Sequence, residues 1–253
     1  MTPYLVIAIA AFVAGAINSI AGGGTLLSFP ALMYIGVPPV MANATNTVAI
    51  WPGSFAGVLG FREDIKKLQR WLLWLMIPSL LGGLSGALIL LHTPEKIFAR
   101  IVPLLILGAT LLLAAQEVIS RKLDRFLSSH ENPTRGWIIF AFTFQFFVSV
   151  YGGYFGAGMG ILMLAALGLI GMHDLHQMNG LKNLLAICIN GVAAIYFALQ
   201  GAVAWTHVLI MAIASILGGF AGARLAHRLG RKFVRGAVVV IGLVMTVVLF
   251  FKH

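Results

Sequence analysis

The sequence predicts an all-α polytopic membrane protein, and three observations support that prediction. Hydrophobic residues make up 60% of the 253 residues, and charged residues make up only 9%. The mean hydropathy is +0.99, which is far above the balance that soluble domains show. Apolar runs long enough to cross a bilayer recur from one end of the chain to the other. Once these runs are set aside, no segment remains for a soluble domain.

Charge and cysteine content narrow the function classes. The formal net charge is +10, but the basic residues sit in loops between apolar runs, as the positive-inside rule requires. We therefore expect no nucleic-acid partner, whereas contact with membrane lipid is expected and attraction to an anionic solute stays open. The single cysteine, Cys188, excludes an internal disulfide and a CxxC metal or redox site. The N-terminus lacks the basic region of a cleavable signal peptide.

Two glycine-rich stretches interrupt the apolar pattern. Residues 18–25 read NSIAGGGT, and residues 151–160 read YGGYFGAGMG about 136 positions later. Glycine within a helix costs about 1 kcal/mol relative to alanine, so each cluster predicts a break in a helix. A break inside lipid is tolerated only where protein, water or a ligand satisfies the freed backbone groups. Two matched breaks in one membrane chain are therefore the best pointer to a transport site.

The remaining elements follow from the apolar runs and the polar segments between them. A run of about ten residues follows each break and is too short to cross a bilayer of about 30 Å. The longest polar stretch, residues 120–135, divides a first membrane repeat at 1–119 from a second at 136–253, and we expect it to be a cytoplasmic linker. The predicted helical runs are 3–21, 26–35, 41–61, 71–91, 97–119, 136–155, 161–170, 178–199, 204–223 and 233–251.

The two halves resemble each other in sequence. The segment SLLGGLSGA at 79–87 matches SILGGFAGA at 215–223 in six of nine positions, at an offset of 136. Gly24 and Gly160 obey the same offset. Small residues at this spacing also arise in unrelated membrane helices, where they allow close packing. An offset held over separate segments favours duplication.

The distribution of Lys and Arg indicates how the repeats are oriented. If each break is the tip of a hairpin that returns the chain to its starting side, fourteen of the 17 basic residues fall on one face. If each short run instead leaves the chain on the far side of the membrane, nine basic residues fall on one face and eight on the other. Orientation is normally set by a marked Lys/Arg bias, so the first interpretation is favoured. It predicts inverted-topology repeats, each with a glycine-broken hairpin plus three transmembrane helices, and both termini on the non-cytoplasmic side.

Backbone groups at the breaks are the first candidates for chemistry. Exposed N–H groups at the N-terminus of a short helix carry about half a positive elementary charge and form an anion site. Asn18, Ser19 and Thr25 can add donors at the first break, as can Tyr151 and Tyr154 at the second. The alternative is that the glycines only allow helices to cross closely.

Polar residues just inside the membrane form the second candidate group. Residues 43–47 read NATNT, and residues 179–183 read NGLKN, with Asn190 two turns later. Polar side chains at this depth need partners. Lys182 is the only formal charge well within an apolar run, where it either neutralises an anion or extends toward the basic face.

Metal binding and ion coupling find little support in the sequence. His173, Asp174 and His176 have a spacing that could bind a metal, but no other motif supplies a third or fourth ligand, and solvated turn residues are the simpler interpretation. All seven carboxylates lie in loops or near the ends of the runs. Proton- and sodium-coupled carriers often hold one at mid-membrane. A passive carrier for an anion therefore fits better, and we expect no cofactor.

These motifs together resemble the TauE/SafE family, also called the toluene sulfonate uptake permease family. The resemblance rests on AGGGTL and ATNT in the first half and on GAGMGI and GLKN in the second. It implies transport of sulfite, sulfonates or related small organic anions across the bacterial inner membrane. Two departures matter, because Thr47 stands where the family pattern has lysine, and Gly180-Leu181 stands where it has small hydroxyl residues. If both family lysines touch the substrate, its charge or size differs here.

The sequence thus predicts a secondary transporter, an exporter or a facilitator, rather than an enzyme. The runner-up is a membrane-embedded enzyme acting on a lipid-borne substrate, and a third hypothesis is a non-transporting assembly subunit. Association into homo-oligomers, the exact substrate and the direction of transport stay open. The predicted substrate-binding residues are Asn18, Ser19, Gly22, Gly23, Gly24, Thr25, Thr45, Asn46, Gly156, Gly158, Gly160, Lys182 and Asn183.

Overall fold

A computed structural model describes residues 2–20, 23–59, 69–128, 135–170, 172, 174–229 and 231–252. All regular structure in these ranges is α-helical. Five helices are long and apolar enough to cross a membrane, and four shorter apolar helices accompany them. The helices are α1 Thr2–Ile20, α2 Thr25–Tyr34, α3 Pro39–Leu59, α4 Gln69–His92, α5 Glu95–Ser128, α6 Arg135–Tyr154, α7 Met159–Leu169, α8 Leu175–Leu199, α9 Trp205–Leu229 and α10 Arg231–Lys252.

The predicted runs agree with these helices, with larger differences at the ends of α5 and α9. The run predicted at 204–223 stops six residues before α9 ends at Leu229. The run 97–119 was predicted from apolar residues alone, but the helix continues to Ser128. Residues 120–128 contain no glycine or proline and are rich in arginine, lysine and leucine, which favour helix in water as well as in lipid. The start of the predicted linker is therefore helical, while its cytoplasmic location stays a prediction.

The repeated small-residue motif lies where helices cross. α1 packs along α9, and α4 packs along α6. Gly218 of α9 lies directly against the Phe12 carbonyl, and Gly82 of α4 lies directly against the Phe146 carbonyl. A Cβ at either glycine would overlap backbone atoms, so both positions need glycine for this approach. The motif at 79–87 and 215–223 is thus used for close packing in both halves.

Helices α5 and α10 pair in opposite directions. Thr110 of α5 contacts Gly242 of α10. Two turns later on α5, Glu117 forms an ion pair of 3.0 Å with Arg235, which lies two turns before Gly242 on α10. Contacts that advance on one helix and recede on the other mean that the pair is antiparallel.

The short helix α2 is held in the protein interior, against the second glycine break. α2 buries Leu26, Phe29 and Leu32, and the Phe29 ring meets the Phe155 ring edge-on at 5.5 Å. Phe155 follows the end of α6, at the second glycine break. α2 ends at Tyr34. The chain beyond it turns at Gly36 (φ +92°), where the Val37 N–H donates to the Leu32 carbonyl, a common helix terminator. This packing brings the second break against the helix that follows the first.

Candidate functional site

The first break is a sharp reversal that the Asn18 side chain closes. Gly23 has φ +93°, a left-handed conformation that favours glycine. The Gly24 N–H donates to the Asn18 Oδ1 at 2.8 Å, and Gly24 lies directly against the Ala14 carbonyl of α1. The chain has therefore turned back along α1 before α2 begins at Thr25. One of the backbone donors expected to be free at this break is already used by the protein.

The second break is closed by a side chain that donates a hydrogen bond, whereas the side chain at the first break accepts one. Gly156 and Gly158 both have φ +76°, so the chain needs glycine at both positions. The Tyr151 hydroxyl donates to the Ala157 carbonyl at 2.6 Å. The side chain here satisfies a backbone acceptor, and the N–H groups that begin α7 do not depend on it.

A small cavity lies between the two breaks. Its volume is ≈ 40 Å³, and since one water needs about 10–15 Å³ on this measure, it holds a few waters or a small solute. It is bounded by the start of α2, the break after α6, and the middle of α3 and α8. The lining residues are Thr25, Asn46, Thr47, Ile50, Trp51, Phe155, Gly156 and Asn190.

The cavity is polar without being charged. None of its eight lining residues is ionisable, and the polar ones carry amides or hydroxyls. Asn46 is only 2% exposed, and its Oδ1 makes no hydrogen bond within the part of the chain that the structure describes. An unmet buried polar group costs about 1–3 kcal/mol. Because this oxygen is an acceptor, its natural partner in the cavity is a water or a solute that carries a hydrogen-bond donor, while the Asn46 Nδ2 is the side-chain group that can donate to an anion.

Three of the predicted site residues line this cavity, namely Thr25, Asn46 and Gly156. The Thr45 hydroxyl lies outside it and accepts the Ala204 N–H at 3.0 Å, which joins α3 to the start of α9. Asn18, Gly23 and Gly24 shape the first break, and Gly158 shapes the second. Gly22 lies outside the described residues, as does the side chain of Ser19.

Lys182 and Asn183 lie on α8 and are absent from the cavity lining. The Lys182 Nζ donates to the Asn179 Oδ1 at 3.0 Å, and a Cβ added at Gly160 would meet the Lys182 stem at ordinary contact distance. Asn183 is half-buried on the same helix. Their assignment to a substrate site stays a prediction.

Sequence reasoning left Trp51, Ile50 and Phe155 out of the site. These apolar residues gave no chemical signal of their own. Thr47 belonged to the candidate polar group at 43–47 and was noted as a departure from the family pattern, and Asn190 was named with the matching group, but neither was predicted to bind substrate. For Thr47, Ile50 and Trp51 the available clue was a position within two turns of Asn46. For Phe155 it was a position beside the second glycine break.

The predicted metal candidates are only partly described. His173 lies outside the described residues, as does the side chain of His176. Asp174 immediately precedes α8, and its Oδ1 accepts the Gln177 N–H at 3.3 Å, which is the role of an N-cap. Among the residues that are described, His, Cys, Asp and Glu form no group of three that could hold a metal ion.

Comparison with known proteins identifies the family. The family model described as sulfite exporter TauE/SafE matches residues 7–249. This chain belongs to the TauE/SafE family. The resemblance predicted from the glycine and ATNT motifs is thereby confirmed.

Curated TauE/SafE relatives match over most of their length. A "Probable membrane transporter protein" of Haemophilus influenzae is 30% identical over 236 residues, which cover 93% of this chain and 89% of the relative. The "Probable membrane transporter protein YfcA" of Escherichia coli is 29% identical over 242 residues, with coverage of 95% and 87%. "Probable membrane transporter protein ORF9" of a Sinorhizobium species is 28% identical over 240 residues, with coverage of 94% and 89%. No solved structure matches.

These findings decide the coarse function. The chain is a multi-pass membrane transporter of the TauE/SafE family. The prediction that it is not an enzyme is confirmed by this membership, and the hypothesis of an enzyme acting on a lipid-borne substrate is set aside.

Proposed function

We propose that this TauE/SafE protein carries a small anion, such as sulfite, a sulfonate or a related organic anion, across the bacterial inner membrane. The observation on which this rests is the cavity between the two glycine breaks, with its uncharged amide and hydroxyl groups. Neutral donors bind an anion without the desolvation cost that a buried lysine carries. The family description, which names sulfite export, supports the same substrate class.

We propose further that the two halves are inverted repeats at 1–119 and 136–253. α5 and α10 are the last helices of the two halves, and they run antiparallel. A two-fold axis that relates two antiparallel helices is perpendicular to them, so for membrane-spanning helices it lies in the plane of the membrane. The matched pairs α1–α9 and α4–α6 support the same relation. Together with the positive-inside rule, the proposed inverted repeats lead us to expect both termini outside the cytoplasm.

Export without a coupling ion is consistent with the charges of the chain. An inside-negative potential drives a monoanion outward with about 2.3 kcal/mol per 100 mV. Glu95, at the start of α5, accepts the Val40 N–H at 3.0 Å and caps α3, and Glu117 is paired with Arg235. Both carboxylates lie near helix or span ends and already have structural partners.

Anion flux in proteoliposomes tests the proposal. Wild-type protein is compared with Asn46→Leu, which keeps the side-chain size and removes the amide from the cavity. Since a hydrogen bond to a charged group contributes about 1.5–3 kcal/mol, we expect sulfite or methanesulfonate flux to fall about tenfold or more. Asn183→Leu, outside the cavity, serves as the matched variant. Loss of flux in Asn183→Leu with normal flux in Asn46→Leu would move the site to Lys182 and Asn183.

A further inference from the structure

The indole of Trp51 bridges two helices of different halves. It projects from α3, and its Nε1–H donates to the Ile187 carbonyl of α8 at 3.1 Å. The Phe55 ring, one turn further along α3, meets it at 5.5 Å and 62°. A hydrogen bond at the ring edge and an aromatic contact together hold the indole in one orientation.

Gly191 makes room for this indole on α8. A Cβ at Gly191 would lie 3.0 Å from Cζ2 and 3.1 Å from Cε2 of Trp51, so the ring rests against the bare backbone. Helix side chains tilt toward the N-terminus and cover the preceding turn. A side chain at 191 would therefore shield the Ile187 carbonyl, one turn earlier. Glycine leaves that carbonyl open to the indole N–H.

The same indole forms part of the cavity wall. Trp51 lines the cavity beside Ile50 and Thr47, and Asn190, next to Gly191, lines it from α8. In a space of ≈ 40 Å³, the largest lining side chain controls how much volume a solute can occupy. The polar lining groups can bind any small oxyanion and do not by themselves limit its size.

We infer that Trp51 is the residue that limits the size of the transported anion, with Gly191 positioning its indole. The inference rests on the proposed function and adds a specificity-determining residue to it. Trp51→Phe removes part of the ring and the bond to Ile187, which enlarges the cavity. Gly191→Ala adds a methyl group against the indole and displaces it from α8 toward the cavity, which reduces the space. The two substitutions act in opposite directions on anion size.

The test is flux of a graded series, namely sulfite, methanesulfonate, ethanesulfonate and benzenesulfonate, in proteoliposomes. One methylene against an apolar wall, which Ile50, Trp51 and Phe155 provide here, gives discrimination of about tenfold or more. We expect Trp51→Phe to raise the ratio of ethanesulfonate to methanesulfonate flux by about that factor, and Gly191→Ala to lower it similarly. Gly108→Ala on α5 is the matched control, because its Cβ would meet nothing within 4 Å, and we expect it to keep the wild-type ratio.

The outcomes separate the inference from the function that it rests on. Wild-type protein that moves none of the series overturns both. If wild-type protein moves the series but Trp51→Phe and Gly191→Ala keep the same size order, the inference alone is overturned. An equal loss of flux for every anion in these two variants overturns it as well. If thermal unfolding shows that Trp51→Phe is not folded, Trp51→Tyr replaces it, with a shift in the same direction expected and an unchanged ratio counting against the inference.

Discussion

The two glycine breaks occupy equivalent places in the chain but are stabilised by opposite chemistry. At the first break the Asn18 side chain accepts a backbone N–H from Gly24. At the second the Tyr151 side chain donates to a backbone carbonyl, that of Ala157. The first break thus loses a donor to the protein, and the second loses an acceptor. Substitution of these two side chains would therefore free a backbone donor at the first break and a backbone acceptor at the second.

The helices of the two halves also differ in their proline content. α2, α3, α4 and α5 each contain an internal proline, at Pro30, Pro52, Pro78 and Pro103. Residues 136–253 contain none. Proline removes a helical hydrogen bond and bends the helix. Equivalent chain paths are therefore built from proline-containing helices in the first half and from proline-free helices in the second.

The largest expected effect is a difference in stability between alanine substitutions at Gly24 and at its equivalent, Gly160. Gly24→Ala places a methyl group against the Ala14 carbonyl, with the Asn18 Cγ 2.9 Å away, so α1 and α2 must separate. Overpacking of this kind costs about 3 kcal/mol. Gly160→Ala meets only the Lys182 stem at 3.4 Å and should leave stability unchanged or slightly higher. Thermal unfolding in detergent measures both, and equal losses would refute the difference between the breaks.

The next prediction compares the side chains that close the breaks. Asn18→Ala leaves the Gly24 N–H without its acceptor, and Tyr151→Phe leaves the Ala157 carbonyl without its donor. Each should lower the free energy of unfolding by about 1–3 kcal/mol. Because an anion can accept from a freed N–H but is repelled by a freed carbonyl, added methanesulfonate should stabilise Asn18→Ala more than Tyr151→Phe. The shift of the unfolding temperature with anion concentration gives the answer, and the reverse order would contradict it.

A smaller effect is expected from backbone strain at the second break. Gly158 has φ +76°, and a Cβ added there would make ordinary van der Waals contact, with the Ala109 carbonyl oxygen nearest at 3.4 Å. Gly158→Ala should therefore cost only the left-handed conformation, about 1–2 kcal/mol. Gly108→Ala, in a regular helix, should be neutral or stabilising by up to about 1 kcal/mol. Chemical or thermal unfolding distinguishes them, and a Gly158→Ala protein as stable as wild type would show that the break can relax.

The smallest effect concerns the ion pair between α5 and α10. Arg235→Gln removes the partner of Glu117, whose side chain is 40% exposed. Partly exposed pairs contribute about 0.2–1 kcal/mol, so the unfolding temperature should fall only slightly, and less at high salt. A loss as large as that of Gly24→Ala would mean that this pair, rather than the breaks, holds the halves together.

The fold could be predicted from the sequence further than the site. Apolar length and glycine clusters located the helices, because membrane crossing requires a fixed number of apolar residues. α1 was predicted at 3–21 and spans Thr2–Ile20. The cavity wall could not be predicted in the same way, since Trp51 reaches it through a contact with Ile187 that depends on how α3 and α8 pack. For the same reason the sequence could not show that Asn18 is used as an acceptor for its own break.

Anion protection of a thiol in the cavity tests the central claim most directly. The chain has one cysteine, so Cys188→Ala provides a background in which Thr47→Cys places a single thiol on the cavity wall. We predict that this thiol reacts with a small negatively charged thiol reagent and that transported anion slows the reaction. Lys182→Cys in the same background should show no such protection. Labelling of Thr47→Cys at the same rate with and without anion, together with protection at position 182, would contradict a binding site between the two breaks.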